Sequence, residues 1–153
     1  MGEQIKIEVR GYIPAPQGSK RHVGNGIMVE SCKTVKQWRA AVADAAVIQG
    51  ATPLMGAIEM QAEFIFPRPQ NHYGTGKNAG RLKNSAPELH STRPDISKLL
   101  RSTEDALSGL AYQDDARIAK TTATKRYASK NELPGATIFI RAIPLAPCGA
   151  GGC

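Results

Sequence analysis

Residues 93–118 read RPDISKLLRSTEDALSGLAYQDDARI, and the fold turns on this stretch. Ile96, Leu99, Leu100, Thr103, Ala106, Leu107 and Leu110 recur at helical spacing, which predicts an amphipathic helix over 96–110. Pro94 keeps Arg93 out of the helical region, so Asp95 falls at or just before the helix start. A carboxylate there reads, by itself, as an N-cap worth about 1 kcal/mol. Ser97, Arg101, Glu104 and Ser108 share the polar stripe, with Asp105 one turn beyond Arg101. That stripe reads as a solvated face with an Arg101–Asp105 pair worth a few tenths of a kcal/mol. Gly109 weakens the helix end, and AYQDD at 111–115 is a tight turn in which Asp114 and Asp115 have an ordinary structural use. Two strands follow, 116–127 and 136–143, separated by Pro134-Gly135.

Upstream, IKIEVRGYI at 5–13 alternates apolar and polar residues and predicts a half-buried strand ended by Pro14 and Pro16. A basic, Gly-rich loop at 17–26 leads to a short returning strand at 27–30. Ser31 or Thr34 caps a helix carrying Val35, Trp38, Val42, Ala45 and Gln49 on one face, with Trp38 as its core anchor. Gly50 and Pro53 stop it, and AIEMQAEFIF at 57–66 predicts a second strand. Strands, helix, strand, helix, strands imply a small α/β (α+β) domain with a mixed sheet and two main helices. It is expected over 1–143, with a disordered Pro, Ala and Gly tail at 144–153.

The chain has 153 residues, fitting one domain, and 20 Lys and Arg against 13 Asp and Glu, a net charge of +7. Large apolar side chains are scarce, so the core is lean and a second subunit would help it. No apolar run is long enough for a membrane span, and the N-terminus lacks the pattern of a secretory signal. Cys32, Cys148 and Cys153 form neither a disulfide framework nor a zinc motif, which fits a reducing cytoplasm. The charge is concentrated. Between Pro67 and Pro94, Arg68, Lys77, Arg81, Lys83 and Arg93 face only Glu88, five cations against one anion, a balance of +4. So long an irregular stretch in a small domain is functional or disordered.

A basic loop running straight into a carboxylate suits a phosphate substrate beside a hard cation, since Mg²⁺ commonly takes one or two carboxylates plus phosphate and water. Residues 93–118 resemble the signature of the RusA family of phage and prophage Holliday-junction resolvases. That signature runs Arg/Lys-Pro-Asp-x-Asp-Asn/Lys-Leu-x-Lys/Arg, then Asp-Ala-Leu-x-Gly, then an Asp-Asp pair before a strand. It stands here as RPDISKLLR, EDALSG and QDDARI. PAPQGSKR at 14–21, Trp38-Arg39, KRYA at 125–128 and the PGATIFI strand are similar to versions in phages of actinobacteria, so the resemblance covers most of 5–143.

The resemblance implies a homodimeric, Mg²⁺-dependent endonuclease (Mn²⁺ substituting) that cuts four-way DNA junctions by paired nicks in the cytoplasm of a bacterial host. By position, Asp95 matches the first metal-binding aspartate, Asp115 matches the last, and Arg101 stands where a catalytic lysine is found. The middle aspartate falls on Ser97, a neutral and poorer ligand, so Asp105 or Asp114 is expected to replace it or the enzyme is weakened. Arg for Lys keeps the cation but removes easy proton transfer. Expected DNA contacts are Lys20, Arg21, Lys77, Arg81, Lys83 and Arg93, with Tyr73 as a stacking candidate. His22, His72 and His90 read as loop residues near phosphate. The competing readings are an inactive junction-capping protein on the same fold, supported by Ser97, and a basic structural phage protein without a specific substrate.

Overall fold

The computed structural model describes residues 3–18, 20–22, 28–30 and 34–145. Alternation builds the first strand, β1 (Gln4–Arg10), which buries Ile7 and Val9 and turns Lys6 and Glu8 outward. It is shorter than the expected 5–13 because Gly11 adopts a positive φ of 86° and bends the chain away. Strands β2 (Lys20–His22) and β3 (Met28–Glu30) pair antiparallel as a separate two-stranded sheet. Helix α1 (Val35–Ile48) buries Val35, Trp38, Ala41, Val42 and Ala46. Thr34 occupies its N-cap without a side-chain capping bond, and Gln49, expected on the apolar face, is exposed.

Strand β4 (Ile58–Phe66), helix α2 (Ile96–Leu107), strand β5 (Ile118–Tyr127) and strand β6 (Gly135–Ala142) complete the main sheet, whose order is β1-β6-β4-β5. β6 runs antiparallel between β1 and β4, whereas β4 and β5 are parallel, with α2 in the connection between them. The expected mixed sheet with two helices is therefore present. Ile58, Met60, Phe64, Ile138 and Ile140 line the face under the helices, where Trp38 Nε1 donates to Thr103 Oγ1 at 3.2 Å and joins α1 to α2. The opposite face of the sheet is polar: Glu59 is buried between Lys120 and Arg141, and Arg126 bridges Glu63 and Glu132.

Two further boundaries differ from the expectation, for local reasons. Helix α2 ends at Leu107 rather than 110, because Ser108 turns extended and Gly109 takes a φ of 84°, closing a turn in which Gly109 N donates to Tyr112 O at 2.7 Å. β5 begins at 118 because 115–117 forms a 3₁₀ turn. β6 needs its opening glycine: a Cβ at Gly135 would stand 1.8 Å from Val9 O on the neighbouring strand. Most of the expected tail, from 146 onward, lies outside the described residues.

Candidate active site

The long connection 67–94 follows the carboxyl end of a parallel strand, the usual location of ligand sites in sheets with this connection. It is tied down by its own backbone. His90 N donates to Lys125 O and Tyr127 N donates to Glu88 O, so 88–90 lies along the end of β5. Arg68 donates to Pro87 O at 2.7 Å and covers the Tyr127 ring, which makes it a brace of the loop. Lys77, Arg81, Lys83 and Arg93 are exposed along the same segment. Lys20 and Arg21 lie in β2; their side chains are outside the described residues. Tyr73 is half-buried and pairs with Leu82 in an isolated bridge.

His90 corrects an expectation. It is buried, stacked on Phe66 at 4.2 Å between ring centroids and set against Tyr127, away from any phosphate on the surface. Burial, reinforced by the Lys125 charge, holds its pKa below the ordinary histidine value. His72 also turns inward, edge-on to Tyr127. His22 shares the position of Lys20 and Arg21, with its side chain outside the described residues.

Asp95 stands at the N-cap of α2, yet its side chain makes no capping hydrogen bond. Its carboxylate is exposed and faces Lys98 Nζ at 3.9 Å. The approach is fixed from β5, since Lys125 Nζ donates to Thr92 O and Pro94 O at 2.6 and 2.7 Å. Sequence reasoning gave Lys125 no role, because it sits mid-strand in a pattern that says only which face it takes. Ser97 is exposed on the first turn of α2.

Asp115 lies at the other end of α2. Its carboxyl is raised above the ordinary aspartate value by burial first, then by the charges of Asp105 and Asp114; Asp105 is within hydrogen-bonding reach and Arg101 opposes the rise. Glu104 is raised in the same way, by burial and then by Asp115 and Asp105. Tyr112, whose hydroxyl donates to Glu104 O at 2.8 Å, is pushed well above its usual range by its own burial. Glu104, Asp105 and Asp115 thus form one acidic group with Arg101 beside it. In the sequence alone Glu104 reads only as part of the solvated stripe. The expected Arg101–Asp105 pair is replaced: Asp105 pairs with Arg39 of α1 at 3.5 Å. Asp114 Oδ1 accepts from Ala116 N at 2.8 Å, so it is engaged in the turn.

The structure therefore brings Asp115 to Asp105, Glu104 and Arg101, and leaves Asp95 with Ser97 and Lys98. Twelve helical residues separate the two ends, a rise of about 18 Å. Among the described residues, no group of three His, Cys, Asp or Glu side chains is arranged to hold a metal within one chain.

Comparison with known proteins gives this arrangement a context. The chain matches the family described as Endodeoxyribonuclease RusA over residues 8–141. It is also similar to the uncharacterized protein YqaN of Bacillus subtilis (strain 168), with 27% identity over 144 residues, which are 91% of this chain and 96% of that protein.

Proposed function

We propose that this chain, which belongs to the Endodeoxyribonuclease RusA family, cuts four-way DNA junctions by paired nicks, as a homodimer whose active sites are shared between subunits. The observation that supports this most is the position of Asp95 and Asp115 at opposite ends of α2, each with a carboxylate suited to a hard cation. Asp95 is free of the capping role that its position offers, and Asp115 is surrounded by acids rather than neutralised. Family nucleases are in general divalent-metal dependent, and this donor chemistry fits Mg²⁺, or Mn²⁺ in its place. Bound there, the ion would supply an activated water and offset charge on the phosphate under attack.

Because β4 and β5 are parallel, the segment after β4 and the turn before β5 open at opposite ends of the strands. A two-fold axis that lays α2 antiparallel on its mate brings Asp95 of one protomer toward the acidic end of the other. The half-buried Ile96, Leu100 and Ile118 give that contact apolar area, which the lean core leaves available. Asp105 then replaces the carboxylate missing at Ser97, Arg101 stabilises charge developing on the phosphoryl oxygens, and the 67–94 loop draws in the DNA backbone.

Subunit exchange tests this reading. Asp95→Asn and Asp115→Asn are each expected to lower nicking of a synthetic four-way junction in Mg²⁺ by at least about a hundredfold. Mixed and exchanged, they are expected to recover cutting of one strand, because every heterodimer holds one site with both aspartates intact. A mixture as inactive as its parents places the site within one chain, and Asp115→Asn cutting at the parental rate removes Asp115 from it. Ser97 supports a second reading, a junction-binding protein weakened in catalysis. Ser97→Asp would then raise the rate sharply, while junction binding would survive chelation of the metal.

A further inference from the structure

Beside Asp95 lies a groove of about 1130 Å³, roomier than the ~300–1,000 Å³ of ordinary small-molecule sites. One wall is the bend after β1, where Tyr12, Ile13 and Pro14 follow one another; the other is Arg93, Asp95 and Lys98 at the start of α2. Tyr12 is 49% and Ile13 58% exposed, large apolar side chains displayed rather than packed. The wall that carries them is preformed. Ser102 Oγ donates to Ala15 O at 2.6 Å, Gln17 N donates to Lys98 O at 3.0 Å, and Gly11 N donates to Pro134 O at 2.8 Å. Asp95 belongs to the carboxylate chemistry described above, whereas Tyr12 and Ile13 have no part in it.

We propose that this groove takes one unstacked nucleobase of the strand being cut, with its ring against Tyr12 and Ile13 and its flanking phosphates on Arg93 and Lys98. The inference rests on the nuclease reading and specifies how the substrate is held. Charge complementarity selects the occupant: a rim with two cations, Arg93 and Lys98, against the one carboxylate of Asp95, and an apolar, aromatic wall opposite, match a ligand that is flat and apolar on one side and anionic on the other. Base–aromatic stacking is tolerant of sequence and gives grip on a strand whose stacking is already interrupted, as at a branch point, where extruding a base is least unfavourable. A base seated here would also fix the position of the neighbouring phosphodiester relative to Asp95.

The test measures binding in EDTA, at fixed salt, to four-way junctions carrying either a normal nucleotide or an abasic one at each position flanking the exchange point in turn. At one position the parent protein is expected to bind the base-bearing junction about tenfold more tightly. Tyr12→Ala and Ile13→Ser should each reduce that preference, and Tyr12→Phe should keep it. Lys98→Ala should weaken both junctions alike. Equal binding of base-bearing and abasic junctions at every position overturns the proposal, as does full discrimination by Tyr12→Ala. Junction nicking in Mg²⁺, assayed in parallel, separates the two readings. A protein that discriminates but never nicks overturns the nuclease assignment alone; one that nicks without discriminating overturns the base groove alone.

Discussion

Asp115 and Glu132 show opposite ways for a carboxylate to sit in this protein. Asp115 is raised by burial and by neighbouring acids, so the folded chain holds that proton longer than the unfolded chain. Its ionisation therefore works against folding as pH climbs out of the ordinary carboxylate range. Glu132 is lowered to about 2, first by its paired hydrogen bonds from Arg126, at 2.6 and 2.8 Å, while Ser129 N donates to it as well. A lowered carboxylate stabilises the fold fully above its unfolded value of about 4.3 and loses that contribution as pH falls toward 2. Glu132→Gln is expected to destabilise the protein by about 1–2 kcal/mol at pH 7, read by urea unfolding. The gap between parent and variant should narrow as pH falls through that window. A gap unchanged down to pH 3 would mean that the ionic bond is not its source.

Among the elements, the contact between α1 and α2 has the most to hold, because α2 carries both ends of the candidate site. Trp38 is almost fully buried, lies 6.5 Å from the Phe64 ring and donates to Thr103, whose hydroxyl also donates to Leu99 O at 2.8 Å. Trp38→Ala removes the largest buried side chain of a lean core and is expected to cost about 3–5 kcal/mol, a large part of an ordinary domain's stability. Thr103→Val keeps the volume but leaves the indole N–H unpaired, for about 1–3 kcal/mol. Chemical denaturation of the three proteins checks both. A Trp38→Ala change below about 1 kcal/mol would show that α2 is held mainly by β5 and the loop.

At the scale of the whole molecule, the net charge of +7 acts through its distribution. On the sheet's polar face, Lys120, Arg126 and Arg141 are paired with Glu59, Glu63 and Glu132, so much of the charge there is balanced. The 67–94 segment instead displays Lys77, Arg81, Lys83 and Arg93 to solvent. If these four, together with Lys20 and Arg21, neutralise six phosphates, the log of junction affinity falls against the log of salt concentration with a slope of about −5. Arg81→Ala and Lys83→Ala should each reduce the slope by about 1 without changing the preference for branched over linear DNA. A slope near zero would remove the loop from the interface.

Much of the architecture is legible in residue order because periodicity is local. The spacing of Leu99, Thr103 and Leu107 marks the buried side of α2, and alternation in β1 and β4 marks the inner face of the sheet. The placement of positive charge before Asp95 is likewise a property of the chain alone. Its limits appear at particular residues. Asp105 pairs with Arg39 rather than with Arg101, a partner on another helix that no i+4 rule can anticipate. His90 stands in a polar stretch but is buried by Phe66 and Tyr127, which belong to two different strands. The separation of Asp95 from Asp115 follows from the parallel pairing of β4 with β5, and strand direction is set by long-range hydrogen bonding that leaves no trace in local spacing. Residue types, the faces they occupy and the location of the charge follow from residue order, because each is a local property of the chain. Which of them meet is set on folding, because burial and pairing are made between segments far apart in the chain.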